Sequence, residues 1–362
     1  MSKLLLITSD YPPRQGGVAR YYQGLVKALG DAQVLTTVAG PSEAGVWRWS
    51  WWWPGWPHWL PLLWLVPYAK LKYGARVLAA GQVLPIGTAL LFMRAAFGWP
   101  YIIFVHGLDV NLALASSWKR WLLGLILSRA ELVVANSQFT KGLTVPAGAP
   151  AERIIVVYPC PNLAPPLPAT VSALRQRYGL TGRSVILSVA RLVERKGIDD
   201  ILSVWPQLQR QFPGLTYVVV GDGPERDSLQ HLAKETGGHV IFTGEISDHE
   251  LSAWYELSEL FVLTPKSDKV DVEGFGLVYL EAQAAGKPVV GSNVGGVPEA
   301  VGDGGLLIRN QSDLLTALAG LLTESARRRK LGGQGRQRIS RVFTWEVQAG
   351  KLRKHLYDTG QN

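Results

Sequence analysis

A chain of 362 residues, 47% of them apolar and 18% charged, is long enough for two packed domains and has the balance of an ordered globular protein, which excludes disorder and collagen-like repeats. Its one cysteine, Cys160, forms no internal disulfide, and six scattered histidines offer no Cys/His metal spacing, so the pattern points to a reducing, cytoplasmic setting without structural zinc. The net charge of +9 is lopsided: residues 1–170 hold 14 Lys or Arg against 6 Asp or Glu, and the remainder holds 23 against 22.

MSKLLLITSD has too short an apolar run for a signal-peptide core, so no export signal is expected. Short apolar runs then alternate with helical patterns, the rhythm of a parallel sheet covered on both faces. Strands are predicted at 4–8, 33–38, 75–80, 101–106, 131–136 and 154–158. The segment 159–170 has five prolines in twelve residues and resists helix and strand interiors alike, so it reads as a linker. It separates a domain over 1–165 from one over 171–343. The rhythm restarts with strands at 184–190, 216–223, 240–244, 260–265, 288–292 and 305–308. Two doubly wound domains are expected, with ligands beyond the carboxyl ends of the strands, in the cleft where the two edges face each other. Residues 344–362 form a closing helix, for which packing back on the first domain is one of two options.

The most informative stretch is EGFGLVYLEAQAAGKPVVGSNVGGVPE, residues 273–299. A helix is predicted to begin at Phe275 or Gly276, carry Glu281 and stop at Gly286, ahead of Pro288. Its first N–H groups can hold a phosphate, and the glycines let that phosphate approach the backbone. Glu273 can accept from sugar hydroxyls, and Glu281 suits a ribose diol. Upstream, Arg191 follows a strand and Lys196 comes five residues later, two cations able to neutralise a diphosphate whose charge grows as it departs. Gly16 and Gly17, between the first strand and helix, can present N–H groups to a phosphate or simply supply permissive dihedrals. His106, with Asp109 three residues on, sits at a strand's carboxyl end, where it serves either structure or a sugar hydroxyl. No Asp-x-Asp triplet, HExxH helix or Gly-x-Ser-x-Gly elbow is present. GDGPER at 221–226 lacks the third glycine of a dinucleotide loop.

Taken in order, the GGVA loop, HGLD, the Arg191 and Lys196 pair, VGDGPER and the two glutamates of EGFGLVYLE resemble the retaining nucleotide-sugar glycosyltransferases of family 4. The resemblance covers nearly the whole chain and implies the GT-B fold, two Rossmann-like α/β domains facing across a cleft. It implies that Gly16 and Gly17 touch donor diphosphate or sugar, His106 the donor sugar, and Arg191 and Lys196 the distal phosphate. Glu273 would bind sugar, the N–H groups of Phe275, Gly276 and Leu277 sugar and phosphate, and Glu281 ribose. The base would lie near Gly244, Glu245 and Ile246, so GDP- and UDP-linked donors both remain open. No metal or other cofactor is implied. The departing phosphate would take the acceptor's proton. DVEGFGLVYLE at 271–281 is similar to mannosyltransferases that act on phosphatidylinositol mannosides.

In place of an ordinary acceptor loop stands VWRWSWWWPGWPHWLPLLWLVPY, residues 46–68. Four prolines make a spanning helix of about 20 residues unfavourable. Trp51, Trp52, Trp53 and Trp56 suit the headgroup level of a bilayer, and Lys70, Lys72 and Arg76 suit anionic lipid. The expectation is a peripheral enzyme on the inner membrane face with a lipid-linked acceptor. The alternatives are tryptophans that fill a core or an oligomer interface, a soluble acceptor such as a sugar phosphate, and a non-enzymatic protein binding anions or nucleic acid. SSWKRWLLGLILSR at 116–129 reads as a covering helix that could assist at the membrane. The aromatics form one apolar block instead of interleaving with basic residues, which does not fit a nucleic-acid groove.

Overall fold

A parallel strand covered on both faces needs apolar side chains at consecutive positions, and the short runs of this chain supply them. The computed structural model describes residues 4–14, 16–50, 55, 57–267 and 271–359. The chain divides into two units, Met1–Cys160 with Thr344–Asn362, and Pro161–Phe343.

The first unit holds strands β1 (Leu4–Thr8), β2 (Gln33–Thr36), β3 (Val46–Arg48), β4 (Val77–Ala80), β5 (Tyr101–Val105), β6 (Leu132–Ala135) and β7 (Ile154–Val156). They form a parallel sheet in the order β3-β2-β1-β4-β5-β6-β7. The period-two alternation of strand side chains divides its core in two. Leu5, Ile7 and Leu78 face helices α2 (Leu62–Tyr73), α3 (Thr88–Phe97), α4 (Leu108–Leu114) and α5 (Ser117–Arg129). Leu4, Leu6 and Val77 face α1 (Gly17–Leu29) and the closing helix, named α15 below (Trp345–Thr359). A short helix, α6 (Gln138–Thr144), follows β6, its N-terminus capped by Ser137 Oγ accepting from the Thr140 N–H at 3.0 Å.

The second unit holds β8 (Ser184–Val189), β9 (Leu215–Val220), β10 (Val240–Gly244), β11 (Leu260–Leu263), β12 (Val289–Ser292) and β13 (Gly305–Ile308), in the order β10-β9-β8-β11-β12-β13. Its helices are α7 (Pro168–Arg177), α8 (Ile198–Gln211), α9 (Arg226–Thr236), α10 (Asp248–Leu257), α11 (Leu277–Ala284), α12 (Val297–Val301), α13 (Gln311–Thr323) and α14 (Ser325–Val342). Pro168 opens α7 at its first turn, where the missing N–H has no intrahelical partner to lose.

Every predicted strand is present, and β3 is an addition. It spans three residues inside the tryptophan run, where uniform apolarity hides the alternation that marks a strand. Part of that run is interior: Trp47 and Trp59 pack against the core beneath α2 and α3, while Trp49 and Trp64 are exposed. Trp51, Trp52, Trp53 and Trp56 lie outside the described residues.

The closing helix α15 belongs to the first unit. Trp345 stands 5.7 Å from the ring of Tyr21, and the Gln348 side chain accepts from the Tyr158 N–H at 3.0 Å. Gly24 on α1 leaves the room Trp345 fills, since a Cβ there would lie 2.2 Å from the indole. Gly24→Val is therefore expected to destabilise the fold by about 1–3 kcal/mol through overpacking. In urea unfolding, Trp345→Ala in the same chain should recover part of that loss. Equal losses with and without Trp345 would rule out this contact as the cause.

Candidate active site

In a doubly wound sheet, ligands bind beyond the strand ends where the strand order reverses. In the second unit that point lies between β8 and β11, and the segments leaving these two strands meet there. The β8 segment makes a tight turn over Glu194–Lys196 and passes through Gly197 at φ +67°. A Cβ on Gly197 would lie 2.0 Å from the Thr264 carbonyl oxygen, so only glycine permits this approach. The segments are stitched by Thr264 Oγ1 donating to the Gly197 carbonyl at 2.7 Å and by the Lys266 N–H donating to the Arg195 carbonyl at 2.8 Å.

The turn thus carries Arg195 and Lys196 to Glu273. Lys196 Nζ donates to Glu273 Oε2, and Arg195 Nη1 reaches the same oxygen at 3.2 Å. Arg195 Nε also holds Asp271 at 2.7 Å. Burial alone would raise the Glu273 carboxyl, but the charges of Lys196 and Arg195 outweigh it and hold the group below its ordinary value. The Glu273 backbone is fixed as well, its carbonyl accepting from the Gly296 N–H at 2.8 Å.

Shortly after Glu273, Gly276 at φ +98° turns the chain into α11, and as the residue at the N-cap it has no side chain to cap the first turn. Phe275 is buried against Phe343, and Leu277 is the first helical residue. Glu281, 2% exposed, accepts from the Tyr255 hydroxyl at 3.0 Å. Gly244 ends β10 and accepts through its carbonyl from the Gly221 N–H at 3.0 Å, which joins the GDGPER loop to the segment of Glu245 and Ile246. Arg191 is exposed and makes no ion pair among the described residues. Lys196 and Glu273 are therefore brought together, while Arg191, on the same segment leaving β8, pairs with neither.

In the first unit the order reverses between β1 and β4. Gln82, just past β4, donates to Asp10 at 2.7 Å and to Thr8 at 3.1 Å, both at the end of β1. His106 follows β5, with Nε2 2.6 Å from the Tyr22 hydroxyl, which lies 2.5 Å from the Gly81 carbonyl. The hydroxyl has one proton. Donated to Gly81, it leaves the tyrosine oxygen to accept from Nε2–H, so Nδ1 becomes the accepting end of the ring. Burial pushes the imidazole down to about 4. Asp109 Oδ1 accepts from the His106 N–H at 3.0 Å, while its buried Oδ2 has no hydrogen-bond partner among the described residues, and burial raises this carboxyl to about 6. The arrangement is a neutral histidine able to accept from a hydroxyl. Gly16, at φ +137°, and Gly17 are exposed at the start of α1.

Arg195, Asp271, Tyr22, Gln82 and Asp10 escaped the sequence reading. Their shared signal is position: Gln82 and Asp10 stand two residues past β4 and β1, Arg195 and Asp271 lie on the segments leaving β8 and β11, and Tyr22 is in the second turn of α1.

Two shifted groups of the first unit, His106 and Asp109, oppose each other in pH dependence. As pH falls from 6.5 toward 4, the unfolded chain protonates a histidine that the fold keeps neutral, so His106 weakens the fold. As pH falls from 6 toward 4, the fold takes up a proton at Asp109 before the unfolded chain does, so Asp109 strengthens it. Asp109→Asn removes only the second effect. Its urea midpoint should drop more steeply than that of the wild type over this window, and parallel curves would refute the assignment.

Two family models match the chain: Glycosyltransferase Family 4 over residues 15–164 and Glycosyl transferases group 1 over residues 171–338. The GDP-mannose-dependent alpha-(1-6)-phosphatidylinositol monomannoside mannosyltransferase of Mycobacterium tuberculosis (strain CDC 1551 / Oshkosh) is 29% identical, over 98% of each chain. A GDP-mannose-dependent monoacylated alpha-(1-6)-phosphatidylinositol monomannoside mannosyltransferase of Corynebacterium glutamicum is 27% identical over 97% of this chain and 96% of its own. Among solved structures, Anabaena HepE in complex with UDP-glucose superposes with a TM-score of 0.81 at 22% identity, covering 99% of this chain and 100% of that one. With both halves matched and both sheets wound in this way, the chain belongs to the family 4 glycosyltransferases, enzymes of the GT-B fold that use a nucleotide sugar.

Proposed function

We propose that the enzyme transfers a hexose, mannose from GDP-mannose, to a hydroxyl of a membrane glycolipid or lipid-linked saccharide, with retention at the anomeric carbon and without a metal. The observation that carries this is the Glu273 carboxylate held by Lys196 and Arg195 directly ahead of the glycine-led start of α11. Lys196 and Arg191 take the diphosphate, and the N–H groups of Phe275, Gly276 and Leu277 add to its stabilisation. Glu273 and His106 hold sugar hydroxyls, with Gly16 and Gly17 beside the donor. Gly244, Glu245 and Ile246 border the base, and Glu281 shares its carboxylate between ribose and Tyr255. The bond from C1 to the phosphate oxygen breaks, the acceptor oxygen bonds to C1 on the same face, and the acceptor's proton passes to the departing phosphate. The relatives' dependence on GDP-mannose supports the choice of donor.

Transfer from GDP-mannose to phosphatidylinositol monomannoside in vesicles tests this reading. Glu273→Gln is expected to lower kcat by about 10²-fold or more, the usual scale for a lost transition-state contact. Wild-type turnover should survive EDTA. Turnover only with UDP-glucose, only on a soluble sugar phosphate, or only with added metal would replace the corresponding part of the proposal.

A second set of observations supports placement on the inner membrane face. Helices α2, α3 and α5 cover one face of the first sheet and bury Val66, Leu90 and Ile126 in one core. Their outer faces are apolar too, exposing Trp64, Tyr68, Leu71, Phe92, Phe97, Trp118 and Trp121, the last at 70%. These helices carry six basic residues, Lys70, Lys72, Arg94, Lys119, Arg120 and Arg129, and no acidic one. Exposed aromatics amid unbalanced positive charge suit the headgroup level of an anionic bilayer. Lys72 lies 4.2 Å over the Trp47 ring, Lys70 donates to the Ala75 carbonyl, and Arg76 is exposed. Among the described residues, no helix is long and apolar enough to cross a membrane. Trp118→Ser with Trp121→Ser should reduce co-sedimentation with phosphatidylglycerol vesicles while leaving the melting temperature near that of the wild type. Undiminished binding would remove α5 from the surface.

A further inference from the structure

We infer that Arg195 is a positioning residue: by bridging Asp271 and Glu273 it keeps the Glu273 carboxylate aimed while Lys196 is drawn to the donor diphosphate. The inference rests on the proposed donor site and extends it to two residues, Arg195 and Asp271, that the donor need not touch.

The geometry sets up a competition. Both cations converge on one oxygen, Glu273 Oε2, whereas Oε1 has no protein partner among the described residues. In the proposed cycle Lys196 must serve a diphosphate as well. If Lys196 were the sole counterion, each incoming donor would strip a half-buried carboxylate of its partner and add negative charge beside it. Such an arrangement favours a protonated or displaced Glu273. Arg195 removes the conflict, because its planar fork grips two acceptors at once: Nε holds Asp271 at 2.7 Å and Nη1 reaches Glu273 at 3.2 Å. Asp271 orients the fork so that Nη1 faces Glu273.

The backbone beneath Arg195 is held too. Its carbonyl accepts from the Lys266 N–H at 2.8 Å, and Gly197 lies against Thr264. The other titratable groups nearby are accounted for. Tyr279, on α11, is buried and far above its ordinary range, so it stays neutral. Lys266 pairs with Asp199 and, at 3.6 Å, with Asp200. The quartet of Arg195, Lys196, Asp271 and Glu273 is formally neutral before the donor arrives. A lysine at position 195 would supply charge but could not bridge the two carboxylates.

Arg195→Ala, Arg195→Lys and Asp271→Asn are measured against wild type for transfer from GDP-mannose to phosphatidylinositol monomannoside in vesicles, across pH 4.5–8.5. The titration of Glu273 is followed in parallel by carboxylate carbon NMR in the presence of GDP. In Arg195→Ala the acidic limb of kcat/KM and the Glu273 titration should both move to higher pH by about one unit, a tenfold change in the ionisation equilibrium. Asp271→Asn removes the fork's second anchor together with an anion near Glu273, so kcat should fall while neither the limb nor the titration moves to higher pH. Arg195→Lys should restore the limb without restoring kcat. If Arg195→Ala does not fold, the other two variants carry the test. An unmoved limb and titration in folded Arg195→Ala or, should that variant not fold, wild-type kcat in both Arg195→Lys and Asp271→Asn would overturn the positioning role alone. A wild type that transfers from neither GDP-mannose nor UDP-glucose would overturn the proposed function and this role with it.

Discussion

One carboxylate oxygen shared by two cations is the constraint around which the second unit is arranged. Glu273 Oε2 can meet Lys196 and Arg195 only if the segments leaving β8 and β11 run side by side. They can do so only because residue 197 has no side chain to strike Thr264. A similar demand applies on the other flank, where a Cβ at Gly295 would lie 2.3 Å from the Glu273 carbonyl oxygen. Glycines here exchange chain entropy for proximity, and the proximity turns scattered surface charges into a preorganised cluster.

The first unit reaches a functional geometry by the opposite route. Its polar groups are paired through desolvation and directed hydrogen bonds, with little use of net charge. Tyr22 donates its hydrogen bond to a backbone carbonyl and in doing so fixes which nitrogen of His106 accepts. A neutral imidazole beside a carboxyl that resists ionisation adds little field of its own. A sugar hydroxyl needs a direction more than a charge, whereas a diphosphate needs charge above all.

The fold was largely legible because its strands are buried on both faces, which writes them as unbroken apolar runs that helices interrupt. Glu273, Lys196 and Gly276 were legible because a glycine turn before a helix, flanked by charge, has few other uses. Arg195 was harder to read, since a basic residue beside another basic residue looks like solvated surface until the partner chain segment is known. Asp271 and Tyr22 were hidden for the same reason: their roles lie in contacts 76 and 84 positions away in sequence, which no local pattern encodes. The strand β3 failed for a different cause, because tryptophan satisfies strand, helix and interface alike.

The path of the chain gives the closing helix a role in timing. Residues 161–343 interrupt the first unit, so the sheet face that α1 covers in part is completed only when α15, on the far side of that interruption, has been made. Trp345 leans on Tyr21, whose ring stands 5.4 Å from that of His106, with Tyr22 alongside. Synthesis of α15 thus seats an aromatic buttress behind His106, and a chain without that helix lacks the support even with Lys196, Arg195 and Glu273 already in place.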